Sequence, residues 1–258
     1  MKIATFNANG IRARLPLILK WLSKESPDVL CLQETKAQDA DFPQEPLHEL
    51  GYYCTIWGQK SYNGVAILSK TSPEQVSRGF GDGNAKEEPR LIAATIRGIP
   101  VVNTYVPQGY APGSEKFQYK LHWFVRLQDY FSKQFDPDMP LVWVGDFNVA
   151  PEPVDVFDPK GLSGSVGFHP DEHKALAAIR DWGFVDIFRL HESAGNMYTF
   201  WDYRIPNAFE KGLGWRVDHI WATQPLADKS SGAWIDSTPR LSERPSDHTF
   251  LVAEFRVE

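Results

Sequence analysis

The chain contains 258 residues, of which 42% are hydrophobic and 23% are charged. This mix is that of an ordinary globular protein, and it excludes wholesale disorder and a coiled-coil rod. Its longest apolar runs, such as residues 141–144, are far shorter than the roughly 20 residues that span a bilayer, so we expect no membrane association. The net charge of −6 argues against a protein that merely coats nucleic acid, but it still allows an enzyme that acts on nucleic acid. Cys31 and Cys54 lie in apolar segments, which indicates buried thiols in a reducing cytoplasm.

Strand and helix patterns alternate along the chain. The loops rich in proline and glycine are too short to be linkers, so we expect residues 1–258 to form a single domain. Many strands with fewer helices favour sheets packed under helices, and two stacked sheets with outer helices fit this pattern. Strands are predicted at residues 2–8, 28–34, 52–58, 63–69, 91–97, 100–106, 140–147, 197–202, 216–223 and 249–257, and helices at residues 14–25, 115–134 and 170–182.

Several apolar strands end in polar side chains. Residues 29–32 are followed by Gln33 and Glu34, and residues 141–144 are followed closely by Asp146. An ionised carboxylate at the end of a buried strand is costly unless it is paired or bound to a metal. Each such residue alone is also typical of a turn. Together they predict that the strand ends converge on a cation.

The candidate ligands are oxygen donors, which hard cations such as Mg²⁺ prefer. Zinc fits less well, because familiar cysteine and histidine spacings are absent from the sequence. The pair His169 and His173 lacks a third ligand and is interpreted as a solvated helix face. The oxygen donors are Asn7, Glu34, Asp146, Asn148, Asp218 and Asp247.

A carboxylate and an imidazole are adjacent at Asp247 and His248. With Asp218 as an orienting carboxylate, His248 can be held in one tautomer or charged, as a donor to a phosphoryl oxygen. The sequence has neither a nucleophile elbow nor a phosphate-binding P-loop, which weakens the case for a serine hydrolase or a nucleoside triphosphatase. The residues alone therefore predict a metal-assisted hydrolase that acts on a phosphoester.

Eight short segments, taken in order, resemble the exonuclease III family of apurinic/apyrimidinic (AP) endonucleases. Other phosphodiesterases and phosphatases of the wider superfamily share the scattered asparagine, glutamate and Asp-His residues, but not typically the combination of LQETK, YVPQG, FWDYR and GWRVD. The segments are TFNANGIR at 5–12, LQETK at 32–36, YNGVAI at 62–67, NTYVPQG at 103–109, GDFNVAP at 145–151, TFWDYR at 199–204, GWRVDH at 214–219 and PSDH at 245–248.

The resemblance implies a four-layer α/β sandwich, in which two packed mixed β-sheets are flanked by helices. It implies a Mg²⁺-dependent enzyme, with Mn²⁺ able to substitute, that cleaves the phosphodiester 5′ to an abasic site in double-stranded DNA. Exonuclease activity in the 3′→5′ direction and removal of blocking groups from 3′ ends by 3′-phosphodiesterase or 3′-phosphatase activity are expected to accompany this cleavage. We expect a monomer in the cytoplasm, associated with the nucleoid if the source is prokaryotic.

The resemblance also implies roles for individual residues. Glu34 resembles the principal metal ligand, with Asn7 and Asp247 at or near the metal. Asp146 resembles the residue that orients or deprotonates the attacking water, and Asn148 lies beside it; both are also candidate ligands. The remaining catalytic candidates are His248, oriented by Asp218 as a donor to the scissile phosphate, and Tyr105, which resembles a support for the phosphate or the leaving group.

Three apolar residues, Phe200, Trp215 and Val217, match the family's pocket for an extruded, baseless sugar, although aromatic residues are also typical of a core. Missing base stacking makes extrusion cheaper at an abasic site, which would be the source of selectivity. Four basic residues are candidates for phosphate contacts, with solvated surface charge as the alternative. They are Arg90, Lys116, Lys120 and Arg204.

Two other functions stay open at this point: a related enzyme acting on lipid or inositol phosphates, and a non-catalytic protein that uses the same scaffold. The intact set of candidate catalytic residues argues against the second. The pair Phe200 and Trp215 favours abasic DNA over inositol phosphates.

Overall fold

The computed structural model describes residues 1–84 and 87–257. Within them lie strands β1 (Lys2–Asn7), β2 (Val29–Gln33), β3 (Tyr53–Trp57), β4 (Val65–Ser69), β5 (Glu74–Arg78), β6 (Leu91–Ile96), β7 (Ile99–Tyr105), β8 (Val142–Asp146), β9 (Phe184–Asp186), β10 (Asp218–Thr223), β11 (Ser230–Asp236) and β12 (Phe250–Phe255). The α-helices are α1 (Ile11–Glu25), α2 (Glu45–Glu49), α3 (Glu115–Gln134), α4 (Pro170–Arg180), α5 (Ile187–His191) and α6 (Gln224–Ala227).

The strands form two six-stranded sheets. The first has the order β11-β12-β1-β2-β4-β3, and the second has the order β5-β6-β7-β8-β10-β9. Each sheet contains one parallel pair at its centre, β1 with β2 and β7 with β8, while the other described neighbours are antiparallel. Both sheets are therefore mixed.

Three hydrophobic clusters fill the interfaces between four layers, which are the two sheets and the helices on their outer faces. The central cluster lies between the sheets and joins side chains such as Cys31 and Val144. A second cluster packs α1, through residues such as Trp21, against the outer face of the first sheet. The third packs α3 and α4, through residues such as Phe131 and Ile179, against the second sheet. This arrangement confirms the predicted four-layer sandwich of two mixed sheets flanked by helices. No helix among the described residues is long and apolar enough to cross a bilayer.

Alternation along β1 positions polar groups between the sheets. Phe6 faces the helix layer, whereas Thr5 and Asn7 face the second sheet. The Gln33 side chain donates to Thr5 Oγ1 at 2.9 Å and to Asn103 Oδ1 at 2.7 Å. The Gln33 amide nitrogen thus has two acceptors in the core, whereas its Oε1 is buried and has no hydrogen-bond partner among the described residues.

Some sequence predictions fail in the structure. The predicted strand at 197–202 is wrong, because Phe200 makes only isolated bridges to Trp215 and His248. Strands β5, β9 and β11 are not predicted by the sequence patterns; β5 is exposed along its length, and β9 has only three residues. Neither β5 nor β9 carries the apolar alternation on which strand prediction depends.

The interpretation of His169 and His173 as a solvated helix face is also wrong. His169 is the N-cap of α4, and its Nδ1 accepts a hydrogen bond from the backbone of Asp171 at 3.1 Å. His173 Nε2 lies 2.9 Å from the carbonyl oxygen of Ala150. Both side chains are partly buried and serve the local structure.

Candidate active site

The site forms where the central strands of the two sheets end side by side. Asp146 ends β8, where it is the register partner of Tyr105 on β7 and of Asp218 on β10. Asn7 ends β1 in the other sheet, and its Nδ2 donates to Asp146 Oδ2 at 2.8 Å and to Glu34 Oε1 at 2.9 Å. One amide thus joins the two sheets and brings together the polar strand ends that the sequence singled out.

The backbone turns sharply at these strand ends. Glu34 and Asn148 have positive φ values of 47° and 52°, which are uncommon for residues other than glycine. Gly145 has a φ of 136°, and a Cβ atom there would lie 1.9 Å from the carbonyl oxygen of Thr104. Such conformations are costly and gather at functional sites, where the surrounding structure holds them in place.

His248 lies between two buried carboxylates. Its Nδ1 is 2.7 Å from Asp218 Oδ2, and its Nε2 is 3.8 Å from Asp146 Oδ2. Burial acts to lower the pKa of His248, but the charges of Asp218 and Asp146 outweigh it and raise the pKa above its ordinary value. The imidazole is therefore held in its charged form, with Nδ1 donating to Asp218.

Asp146 is buried, and its carboxylate is held by donors on both sides. The pKa of Asp146 is raised, first by burial; the charge of His248 acts to lower it, and that of Asp218 raises it further. Asp146 Oδ1 accepts from the backbone of Asn148 at 2.9 Å. The Asn148 side chain donates to the carbonyl oxygen of Val106 at 2.9 Å, which fixes its orientation beside Asp146.

Two further residues belong to this site but had no assigned role from the sequence. Lys36 Nζ forms an ion pair with Glu34 Oε2 at 2.9 Å, and Asn9 Nδ2 donates to Asp247 Oδ1 at 2.9 Å. Burial acts to raise the pKa of Glu34, but the charge of Lys36 and the bonds from Asn7 and Lys36 lower it overall. Asn9 lies within the segment TFNANGIR and Lys36 within LQETK. Their position in these motifs is the sequence feature that could have identified them as site residues.

The donor set fits a hard cation. The carboxylates of Asp146 and Asp218 offer oxygen atoms within 4.8 Å of each other and of the His248 ring, which is charged and therefore donates hydrogen bonds rather than binding a cation. Asp218 Oδ1 is buried and has no hydrogen-bond partner among the described residues. Burying an unpaired carboxylate oxygen is costly. A cation close to this cluster would offset that cost, and carboxylate oxygens are the ligands that Mg²⁺ selects.

Of the apolar candidates, Phe200 lies next to the imidazole, and Trp215 is paired with Phe200. The Phe200 ring centroid is 4.8 Å from that of His248, and Phe200 exchanges two backbone hydrogen bonds of 2.9 Å with Trp215. Both aromatic residues are partly exposed, whereas Val217 is only 4% exposed. Phe200 and Trp215 are therefore the members of this group that a ligand can reach.

The four basic candidates differ in their surroundings. Lys116 and Arg204 are exposed, the first over the ring of Tyr110. Arg90 is largely buried and stacks on the ring of Tyr105 at 4.7 Å, so much of its side chain supports that tyrosine.

Lys120 is not available to DNA, and its prediction as a phosphate contact is wrong. Its side chain is fully buried and forms an ion pair with Glu172, which is also fully buried. The ammonium group therefore faces the interior between α3 and α4 rather than a phosphate.

Known proteins share both the sequence pattern and the fold of this chain. The profile of the Endonuclease/Exonuclease/phosphatase family matches residues 4–248. The chain belongs to this family. An exodeoxyribonuclease III from Haemophilus influenzae is 35% identical over 272 residues, which covers 99% of this chain and 100% of the relative.

Solved structures of the family agree with this assignment. An AP endonuclease from Archaeoglobus fulgidus has a TM-score of 0.96 and 49% identity, with 100% of both chains covered. A 3′ phosphatase from Neisseria, solved with a product DNA hairpin, has a TM-score of 0.95 and 36% identity, also with 100% of both chains covered. These relatives confirm the resemblance to the exonuclease III family and the prediction of a hydrolase of the DNA-repair nuclease class.

Proposed function

We propose that the protein is a Mg²⁺-dependent AP endonuclease that cleaves double-stranded DNA on the 5′ side of an abasic site. The observation that carries this proposal is the placement of a charged imidazole, His248, between Asp218 and Asp146 and directly beside the ring of Phe200. A phosphate donor and an apolar surface for a baseless sugar thus lie together. The relatives named exodeoxyribonuclease III and 3′ phosphatase support additional action on 3′ ends.

Glu34 is the principal ligand in this proposal, with Asn7, Asp146, Asn148 and Asp247 around it as further candidates for Mg²⁺ or Mn²⁺. When bound, the cation supplies positive charge that stabilises the phosphate oxygens as negative charge develops on them. Lys36 pairs with Glu34 and so limits the repulsion among the carboxylates before the cation arrives.

Three residues of the chain act directly on the attacking water and on the phosphate. Asp146 accepts a hydrogen bond from the attacking water and takes its proton, since its raised pKa makes the carboxylate a stronger base. His248 donates from Nε2 to a non-bridging phosphate oxygen, while Asp218 holds Nδ1 and keeps the ring charged. The Tyr105 hydroxyl supports the phosphate or the leaving oxygen, and the stacked Arg90 restricts its ring.

Selectivity comes from the apolar wall beside His248. Phe200 and Trp215 offer ring surface to a deoxyribose that has left the helix without a base. A nucleotide that retains its base costs more to extrude and is crowded by the same rings. Exposed Lys116 and Arg204 meet backbone phosphates and position the duplex without reading its sequence.

We further propose that residues 1–258 act as one catalytic domain and as a monomer. Site residues from Asn7 to His248 converge within one chain, so no second copy is needed to complete the site. We place the enzyme in the cytoplasm, where the thiols of Cys31 and Cys54, which are free in the structure, stay reduced.

The test uses a labelled duplex with one tetrahydrofuran abasic analogue, incubated with Mg²⁺ or with a chelator. An undamaged duplex with a recessed 3′ end and an inositol polyphosphate are assayed in parallel. We expect incision 5′ to the analogue that leaves a 3′-hydroxyl, depends on Mg²⁺, and is lost in Asp146→Asn, which keeps the shape of the side chain.

Two results would contradict the proposal. Phosphate release from the inositol polyphosphate with intact abasic DNA would identify the enzyme as a phosphatase of the wider superfamily. Tight binding of the abasic duplex with no cleavage at any Mg²⁺ or Mn²⁺ concentration would indicate a non-catalytic protein.

A further inference from the structure

The buried ion pair of Lys120 and Glu172 connects parts of the chain that are distant in sequence. The Lys120 ammonium group donates to Glu172 Oε1, to the carbonyl oxygen of Asn148 at 2.7 Å, and to that of Gln108 at 3.2 Å. An ammonium group has three donors, and all three are engaged. Lys120 therefore ties α3 to the segment that follows β7 and to the segment that follows β8.

Glu172 extends the same connection toward the pocket. Its Oε2 accepts from the backbone of Gly167 at 2.7 Å and from that of His169 at 3.2 Å. These bonds fix the loop that precedes α4. The Gly167 carbonyl oxygen in turn accepts from the backbone of Ala150 at 2.8 Å, so the loop is also held against the segment after β8.

Gly167 packs against Asn148, which lies beside Asp146, and against Trp215, which forms the wall of the proposed pocket. It has a φ of 87°, and a Cβ atom there would be 3.4 Å from the carbonyl oxygen of Asn148 and 3.4 Å from Cζ3 of the Trp215 indole. The glycine backbone therefore packs on the indole that forms the proposed pocket wall. At the same time it contacts the residue whose backbone and side chain hold Asp146.

We propose that the Lys120–Glu172 ion pair is a positioning unit that sets Asn148 and the Trp215 indole at a fixed distance from each other. This inference rests on the proposed function, because it assigns the pocket to Trp215 and the water to Asp146. The pair touches no substrate itself. It acts through the carbonyl oxygen of Asn148 on one side and through Gly167 on the other.

A test of this proposal needs a variant in which the ion pair is removed but the protein still folds. Replacing a buried ion pair by well-packed hydrophobic side chains of similar volume is often neutral or stabilising for the fold, whereas removing one partner alone leaves a buried charge unpaired. In Lys120→Met/Glu172→Gln, the amide oxygen of the substituted glutamine still accepts from Gly167 and His169. What is lost is the donor to the carbonyl oxygens of Asn148 and Gln108, so the double variant removes the connection, and circular dichroism at the assay temperature checks that its helices are folded.

The experiment measures incision of the abasic duplex by this double variant at 10 °C, where the folded protein predominates. We expect kcat to fall roughly 10- to 100-fold, as for a misplacement of about 1 Å near a reacting centre. The Mg²⁺ concentration for half-maximal rate should change less than about threefold, because Glu34, the principal ligand in the proposed function, is held by Asn7 and Lys36 and not by this ion pair. The control is Lys2→Met/Glu25→Gln, which removes a Lys–Glu ion pair of 2.9 Å at the opposite end of β1 and should leave kcat unchanged.

A second measurement separates positioning from general stability. If the pair acts through Asn148, adding Lys120→Met/Glu172→Gln to Asn148→Ala should cost less than about threefold beyond Asn148→Ala alone. The proposal would be overturned if the loss in kcat from Asn148→Ala and the loss from Lys120→Met/Glu172→Gln multiply in the combined variant. It would also be overturned if Lys120→Met/Glu172→Gln keeps the wild-type kcat. If the wild-type enzyme degrades the recessed end but leaves the abasic duplex intact, the proposed function fails, and the same comparison on the recessed end still tests the ion pair.

Discussion

The imidazole of His248 and the carboxylate of Asp218 form a 2.7 Å hydrogen bond in which both partners are buried. Asp218 is fixed in turn, because its backbone N–H donates to Thr199 Oγ1 at 3.1 Å at the start of β10. The pair is therefore held in one geometry, and its members should act on the reaction as a unit.

A double-mutant cycle tests that unit. We expect His248→Ala and Asp218→Ala each to lower kcat by roughly 10²- to 10⁴-fold, the usual contribution of a positioned proton donor. The double variant should lose little more than either single variant, because groups that act as a unit lose their effect together. Single-turnover incision of the abasic duplex measures this. Independent action would appear as losses that multiply.

Glu34→Ala tests the principal ligand. Turnover should fall by roughly two to three orders of magnitude, and the Mg²⁺ concentration for half-maximal rate should rise, since a carboxylate next to Asn7 and Lys36 is lost. The matched control is Glu49→Ala, at an exposed position on α2. Near-normal activity of Glu34→Ala at low Mg²⁺ would remove Glu34 from the metal site.

Trp215→Ala tests the pocket rather than the chemistry. Losing this wall should cost on the order of 1–3 kcal/mol of discrimination, or roughly 10- to 200-fold in kcat/KM on abasic DNA. The loss on undamaged recessed ends should be smaller, and metal affinity should stay unchanged. Trp234→Ala, at a partly exposed tryptophan on β11, is the control. Equal losses on both DNA substrates would show that Trp215 is general scaffold.

Buried His219 predicts how stability depends on pH. Burial lowers its pKa to about 4, aided by the charge of Arg216, whose guanidinium donates to Nδ1 at 2.9 Å. Between pH 6.5 and 4 the unfolded chain binds this proton and the folded protein does not, so stability falls as pH falls through that window. The effect amounts to roughly 3 kcal/mol in full.

Urea unfolding at pH 7 and at pH 4.5 checks this dependence. We expect His219→Gln, which cannot titrate, to show a shallower loss of stability between the two pH values than the wild type. His191→Gln is the control, because His191 is exposed. An unchanged pH slope in His219→Gln would assign the acid sensitivity to other groups.

Gly145→Ala tests the close approach of β7 and β8. The new methyl group would lie 1.9 Å from the carbonyl oxygen of Thr104 at a φ of 136°, so one strand must shift. We expect a loss of stability on the order of 3 kcal/mol, measured by urea unfolding. At Gly232, a Cβ atom would meet no described atom within 4 Å, so Gly232→Ala should unfold like the wild type.

Sequence patterns predict the central strands well because those strands carry strong apolar signals. The predicted helix at residues 115–134 is confirmed, and α3 has those bounds, since Ser114 caps its first turn with a 3.2 Å hydrogen bond from the backbone of Phe117. Short or edge strands escape prediction because their pairing depends on neighbours far along the chain. The converging strand ends are predicted individually, but only the register of β7, β8 and β10 shows that they meet.

The position of Lys120 within the helical pattern already indicates that this lysine is buried. It lies three residues after Phe117 and four before Phe124, so it falls on the apolar face of α3 rather than on its exposed face. A lysine on that face needs a buried partner. That the partner is Glu172 follows only from the packing of α3 on α4, which helical periodicity cannot supply.

The pairing of β1 with β12 has a consequence for how the protein is made. Met1 and Phe255 are hydrogen-bonded although they are 254 positions apart. A ribosome adding roughly 5–20 residues per second leaves β1 without this neighbour for about ten seconds or more. Asn7 and His248 both approach Asp146, so the site cannot be complete before His248 has been synthesised, and a shorter nascent chain carries no assembled nuclease centre. Cleavage competence is thereby delayed until translation of the described residues is essentially complete.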